Sequence, residues 1–150
     1  MIAASVAFDL LFLVHLVAAL ATITVVVVMR AGASAVAGGA DSVVQRRRFP
    51  AHSNWAARVV HLVVLSGLAL TATGGSADSL RRPFVLVGLL CYLAIAGHLE
   101  ARTLPLERKV ADEIARSGVA EAAMGRQLTR SIDVIGTLLA VALVAMIVQF

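Results

Sequence analysis

Seven ionisable side chains lie inside, or at the ends of, the long apolar runs of this 150-residue sequence. A charged group at the centre of a lipid bilayer costs about 3 kcal/mol or more, so each of them needs a polar partner or a functional role. Histidine is the most informative type, because imidazole binds metal ions and haem iron and exchanges protons near neutral pH. The seven are Asp9, His15, Arg58, His61, His98, Glu100 and Asp133.

The position of each histidine along its apolar run limits which of them can bind one ligand together. At about 1.5 Å per helical residue, His15 lies roughly 22 Å from Arg30, which ends the first run. His61 and His98 both lie within about 6 Å of that same end of the helices. A shared metal ion requires both ring nitrogens within about 2 Å of it. Depth therefore allows His61 and His98, but not His15 and His61, to bind one ion.

The polar residues expected at this end of the helices have two interpretations. In the first, His61 and His98 are axial ligands of a b-type haem held between helices, and Arg58 pairs with a haem propionate. In the second, Arg58 pairs with Asp133 or Glu100, and the histidines lie at the level of the lipid headgroups with their polar tips in water. Proton handling or substrate contact is a further possibility. The group comprises Arg58, His61, His98, Glu100 and Asp133, with His52 close by.

His15 is the deepest of these side chains, and a histidine inside a membrane helix is a functional-site hypothesis in itself. A neighbouring hydroxyl or carbonyl can also satisfy it. Met146 lies at a matching depth on the last apolar run, and a His15/Met146 pair suits haem iron or copper. Methionine is more often a packing residue.

The candidate cofactor-binding residues are therefore His15, His61, His98 and Arg58, and the three histidines are also the candidate metal ligands. No catalytic triad or phosphate-binding glycine loop is found, and whether the protein is an enzyme stays open.

Four apolar segments position these residues. Apolar residues make up 60% of the sequence and the mean hydropathy is +0.92, against roughly 45–50% apolar residues in soluble proteins. A helix needs about 20 apolar residues to span a bilayer. The sequence therefore predicts an all-α fold, a four-helix transmembrane bundle in a single domain over residues 1–150. The segments cover about 7–29, 56–73, 83–99 and 134–150. Small residues that let helices approach include Ala18, Thr22, Gly67 and Gly88.

The connections between the segments carry the charge. In the third connection, Leu106, Val110 and Ile114 recur at helical spacing among charged residues, which predicts a short amphipathic helix at the membrane surface. Only Arg81 and Arg82 of the 13 lysines and arginines belong to the second connection. By the positive-inside rule the first and third connections are cytoplasmic and both termini lie outside the bacterial cytoplasmic membrane. No aromatic-rich basic face accompanies these charges, so nucleic acid is not an expected partner.

Several short motifs resemble those of small bacterial membrane proteins related to CopD and HemJ, a group that includes predicted integral membrane proteins without an assigned function. The first helix of those proteins has a Leu/Val-His-aliphatic-aliphatic-Ala pattern, similar to Val14-His15-Leu16-Val17-Ala18 here, with a basic residue at its cytoplasmic end. The resemblance covers most of the chain. The other matching features are Arg58 followed by Ser66-Gly67-Leu68, Leu104-Pro105-Leu106 after the third helix, and Met146.

The resemblance to HemJ, a haem-associated oxidase of porphyrinogens, implies that His15 is the first-helix haem ligand. It also implies that His98 is placed like a histidine of the third helix of that family. The sequence departs from HemJ because it has no lysine on the third helix and no Asn-Glu-x-Pro segment before the fourth. A resemblance to CopD implies copper handling instead, although the chain lacks clustered methionines.

These observations lead to one functional hypothesis and two alternatives. The hypothesis is an integral membrane protein that binds b-type haem for electron transfer or haem-linked redox chemistry. The first alternative is a non-catalytic accessory subunit of a larger respiratory membrane complex, in which the bundle docks against other subunits or another copy of itself. The second is copper or metal handling.

Overall fold

The computed structural model describes residues 2–49, 54–73 and 82–148, and side chains from Val6 onward. These parts of the chain contain helices and no β-strand, which confirms the predicted all-α fold. A short 3-10 turn, Trp55–Val59, leads into the third helix. The α-helices are α1 (Ile2–Ala37), α2 (Ser42–Arg48), α3 (Val60–Thr73), α4 (Pro83–His98), α5 (Leu104–Ser117) and α6 (Ala122–Val148).

Four helical stretches are long and apolar enough to cross a membrane: Val6–Ala37, Trp55–Thr73, Pro83–Ser117 and Ala122–Val148. Their outward faces carry large apolar side chains, and at most 17% of the most apolar window of each stretch is buried. Exposed apolar surface on this scale is rare on soluble monomers and suits contact with lipid. The chain is therefore a multi-pass integral membrane protein.

Two of the spanning helices extend well beyond the predicted apolar segments. The first continues past Met29 to Ala37, and the last begins at Ala122 rather than near Val134. Apolar length predicts the part of a helix that lies in lipid, whereas the backbone hydrogen bonds continue into water until a helix-breaking residue. For α1 that residue is Gly39, which adopts a φ of 71° that favours glycine.

The four spanning helices form a ring in which three neighbouring pairs pack closely and the fourth pair, α3 and α4, packs loosely. Helix α1 packs against α3 on one side and α6 on the other, and α4 packs against α6. Helices α3 and α4 make few contacts with each other. The closest approach is between α6 and the end of α1, where the backbone of Gly125 faces Val36 and Ala37. The most fully buried side chains, including Val36, Val110 and Leu128, lie at this end of the bundle.

Helix α4 leads into α5 through a single π-helical turn, Leu99–Thr103. Pro105 lies two residues beyond this turn and has no backbone N–H to donate to it, so a locally widened turn accommodates it. The predicted amphipathic helix of the third connection is therefore confirmed as α5. Its apolar residues Leu104, Val110 and Ile114 are buried in the core of the protein, and α5 contacts both α2 and α6. Its location at the membrane surface stays a prediction.

The first and third connections meet at the same end of the bundle. Gln45 on α2 is 2% exposed and donates from Nε2 to the Ala40 carbonyl at 2.8 Å. Its Oε1 accepts from the Ala120 backbone N–H at 2.8 Å. The two basic connections thus lie at the same end of the bundle, as the charge pattern requires. That this end is cytoplasmic stays a prediction. The second connection, 74–81, lies outside the described residues.

Candidate functional site

His15 lies where α1 packs against α3, and its hydrogen bonds determine which ring nitrogen carries the proton. Nδ1 is 2.9 Å from the Val63 carbonyl oxygen and 3.1 Å from Ser66 Oγ. A carbonyl oxygen only accepts, so Nδ1 must be the protonated nitrogen. Ser66 donates its own hydroxyl proton to the Leu62 carbonyl at 2.6 Å, which leaves its oxygen free to accept from Nδ1. In the neutral ring Nε2 is then the atom with the free lone pair.

Gly67 provides the space that the His15 ring occupies. A Cβ atom added at Gly67 would lie 3.1 Å from His15 Cε1 and 3.4 Å from Nδ1, so the His15 ring would have to shift by a few tenths of an ångström. Two sequence motifs quoted separately above, the His15 motif and Ser66-Gly67-Leu68, are therefore in contact. The hydroxyl or carbonyl partner expected for His15 is present in both forms, as Ser66 and Val63. Sequence reasoning did not identify these residues, because pairing across two helices is not encoded in their spacing.

A cavity of about 340 Å³ opens between α1, α3, α4 and α6, next to His15. It lies where α3 and α4 make few contacts, and most of its lining is aliphatic. The lining residues with a polar or metal-binding side chain are His15, Thr71, Tyr92 and Met146. Its volume lies within the range of small-molecule sites, roughly 300–1,000 Å³. The depth argument that placed His15 and Met146 at one level is thus consistent with their lining the same cavity.

Arg58 and Glu100 form a bidentate ion pair at the end of the bundle. Arg58 Nε and Nη2 donate to Glu100 Oε1 and Oε2 at 2.8 and 3.0 Å. The guanidinium carbon also lies 4.6 Å from the centroid of the Trp55 ring, in cation–π contact. Of the partners expected for Arg58, the structure selects Glu100. Asp133 instead pairs with Arg30, with 2.6 Å between Oδ1 and Nε.

His61 and His98 have separate partners. His61 Nδ1 lies 2.9 Å from the hydroxyl of Tyr92 on α4, and its Nε2 is 3.8 Å from Glu100 Oε1. His98 Nε2 lies 3.1 Å from the carbonyl oxygen of Ser131 on α6 and 2.9 Å from its hydroxyl. Because the carbonyl only accepts, His98 Nε2 is protonated. The two rings have similar depth but are directed at different helices.

The structure thus brings Arg58, His61 and Glu100 together, and places His15 with Met146 around the cavity. It does not place His98 in either group. Among residues 2–49, 54–73 and 82–148, no three His, Cys, Asp or Glu side chains are grouped so that they could hold a metal ion. His52 lies outside the described residues.

A comparison of the chain with protein-family models, with curated proteins and with solved structures finds no match. The resemblance to the CopD and HemJ group therefore stays a prediction from short motifs.

Proposed function

We propose that this membrane protein binds b-type haem in the cavity beside His15, with His15 Nε2 as an axial ligand, and serves electron transfer or haem-linked redox chemistry. One observation carries the proposal: the Val63 carbonyl holds His15 Nδ1–H, which leaves the Nε2 lone pair free beside an apolar cavity. A hydrogen bond from the other ring nitrogen usually orients a metal-binding histidine in this way. The resemblance to HemJ assigns His15 the same role.

Met146 is the proposed second axial ligand. Histidine with methionine is an axial pair used by haem proteins of electron transfer. The thioether lies close to α4, because a Cβ added at Gly88 would be 3.4 Å from Met146 Cε. The donor set therefore fits haem iron. The described lining contains no lysine or arginine, and Arg58 already pairs with Glu100, so no described cation in the cavity would pair with the haem carboxylates.

The chain contributes orientation and exclusion of water. Val63 and Ser66 fix the rotation and tautomer of the His15 ring, and Gly67 allows the ring to pack against α3. The aliphatic lining keeps water away from the imidazole, which strengthens electrostatic interactions there. When bound, haem supplies the one-electron carrier. In a bacterial cytoplasmic membrane this would connect electron donors and acceptors at or within the bilayer.

The test is a reduced-minus-oxidised absorbance spectrum of protein purified in detergent after expression with ample haem. We expect a stoichiometric haem band in the wild type that is lost in His15→Ala. His98→Ala is the matched control, because its ring bonds to Ser131 away from the cavity, and it should keep the band. Met146→Leu should keep the haem and change its ligand-dependent spectrum.

A band that survives in His15→Ala and disappears in His61→Ala or His98→Ala would contradict the assignment of the ligand. A colourless wild-type protein would contradict haem binding altogether. Its co-purification with a respiratory assembly would then support an accessory subunit, and copper-dependent growth of a deletion strain would support copper handling.

A further inference from the structure

We propose that Glu100, His61 and Tyr92 form a proton path between the polar end of the bundle and the His15 cavity. The three side chains come from different parts of the fold: His61 from α3, Tyr92 from α4 and Glu100 from the turn that follows α4. The path goes beyond haem binding, since it concerns how a proton reaches the cavity whatever the cavity holds.

The inner half of the path is a direct hydrogen bond. Tyr92 Oη and His61 Nδ1 are 2.9 Å apart, within normal hydrogen-bond range. The two rings meet edge to face, with centroids 5.9 Å apart and an angle of 85°. Tyr92 also lines the cavity. The residue that hydrogen-bonds to His61 is therefore part of the cavity wall.

The outer half of the path lies at the polar end of the bundle. The side chains of His61 and Glu100 are 34% and 41% exposed, and His61 Nε2 lies 3.8 Å from Glu100 Oε1. That distance exceeds a hydrogen bond and suits a bridging water or a small rotation of the carboxylate. Arg58 holds Glu100 in place.

The transfer moves one proton and no electrons. A proton from water at the polar end bonds to His61 Nε2, and the proton on Nδ1 passes to Tyr92 Oη. The original hydroxyl proton of Tyr92 leaves to a basic group in the cavity. The reverse sequence returns a proton to the polar end. Imidazole suits this relay because its two nitrogens accept and release protons near neutral pH.

His98 shows what a purely structural histidine looks like in the same fold. Its Nε2 is bonded to the backbone and hydroxyl oxygens of Ser131, and it does not line the cavity. If the His61–Tyr92 pair likewise served only to satisfy two polar groups, removing the imidazole would leave proton exchange at Tyr92 unchanged.

Tyr92 is the only tyrosine in the sequence, so a label on tyrosine reports on this site alone. The experiment uses full-length protein in detergent, carbon-13-labelled at tyrosine Cζ, in an equal mixture of H2O and D2O. Fast exchange of the hydroxyl proton gives one averaged Cζ signal, and slow exchange gives separate signals for O–H and O–D. We expect a single averaged signal in the wild type near neutral pH.

His61→Gln is the decisive variant, because an amide keeps a hydrogen bond to Tyr92 but does not take up a proton. We expect exchange at Tyr92 to slow by about tenfold or more, in keeping with the loss of a positioned acid–base group. Glu100→Gln should slow it less, since water still reaches His61. His98→Gln is the matched control and should retain the wild-type rate.

The path would be overturned if the hydroxyl proton of Tyr92 exchanged slowly in both the wild type and His61→Gln. It would also be overturned if that proton exchanged fast in both. Circular dichroism of each variant separates these outcomes from loss of the fold. A second substitution, Tyr92→Phe, removes the labelled group and should leave helicity unchanged if the fold does not depend on the pair. None of these measurements requires haem, so a failure of the proton path is distinguishable from a failure of the proposed haem site.

Discussion

At the scale of single residues, the chemistry of the cavity depends on one backbone acceptor. The Val63 carbonyl makes Nδ1 the protonated nitrogen of His15, and the remaining lone pair is on Nε2. The same constraint gives Gly67 its importance, since the ring lies against its backbone. Gly67 is thus required by close packing rather than by an unusual backbone angle.

Replacing Gly67 by alanine should therefore displace the His15 ring. The added Cβ would lie 3.1 Å from Cε1, and overpacking of this kind destabilises by about 1–3 kcal/mol. Gly97→Ala is the control, because a Cβ there meets no atom within 4 Å. Removing a helical glycine should stabilise this control by about 0.5–1 kcal/mol. Thermal unfolding in detergent, followed by circular dichroism, measures both. Equal melting temperatures for the two variants would contradict the packing of His15 on Gly67.

At the scale of the elements, the bundle is organised around the contact of α1 with α6. Lipid does not drive apolar helices together, so their association depends on close packing and polar contacts. Ala18 and Thr22, two of the small residues predicted to let helices approach, are 5% and 3% exposed. The closest contact, at Gly125, was not predicted from the sequence, because the predicted fourth segment began near residue 134 and left Gly125 in a connection.

Gly125→Ala should be the most damaging single-methyl change in this interface. Its Cβ would lie 2.8 Å from the backbone carbon of Val36, and a backbone atom cannot rotate away as a flexible side chain does. We expect a loss of stability of about 3 kcal/mol, at the upper end of overpacking costs. Gly136→Ala on the same helix meets no atom within 4 Å and serves as the control. Unfolding by detergent titration compares the two, and a Gly125→Ala protein as stable as the control would refute the close approach.

At the scale of the whole molecule, charge and burial are distributed unevenly along the bundle. The most buried side chains and both basic connections lie at one end, where Gln45 links α2 to Ala120 before α6. The cavity lies farther along the helices, next to His15. A polar end with exposed ionisable side chains and a largely apolar cavity are thus adjacent in one small bundle.

The charge pattern predicts that this polar end is cytoplasmic. Single cysteines test it in a Cys91→Ala background: Val43→Cys and Val119→Cys, whose native side chains are 66% and 45% exposed, probe the first and third connections. In spheroplasts, a membrane-impermeant maleimide should label neither until the cells are lysed. Ser5→Cys, which precedes the first spanning stretch, should be labelled in intact spheroplasts. Labelling of the connections without lysis would reverse the assigned topology.

The number of spanning helices, the all-α fold and the clustering of charge in the connections could be predicted from the sequence alone. These follow from apolar length and local composition, which need no partner. The similar depth of His15 and Met146 could also be predicted from the sequence, because the rise per helical residue is constant. The tertiary structure decided how each helix is rotated about its axis. His61 and His98 have similar depth, yet one hydrogen-bonds to Tyr92 and the other to Ser131. In lipid, an apolar face does not have to point inward, so only side-chain contacts between helices set that rotation.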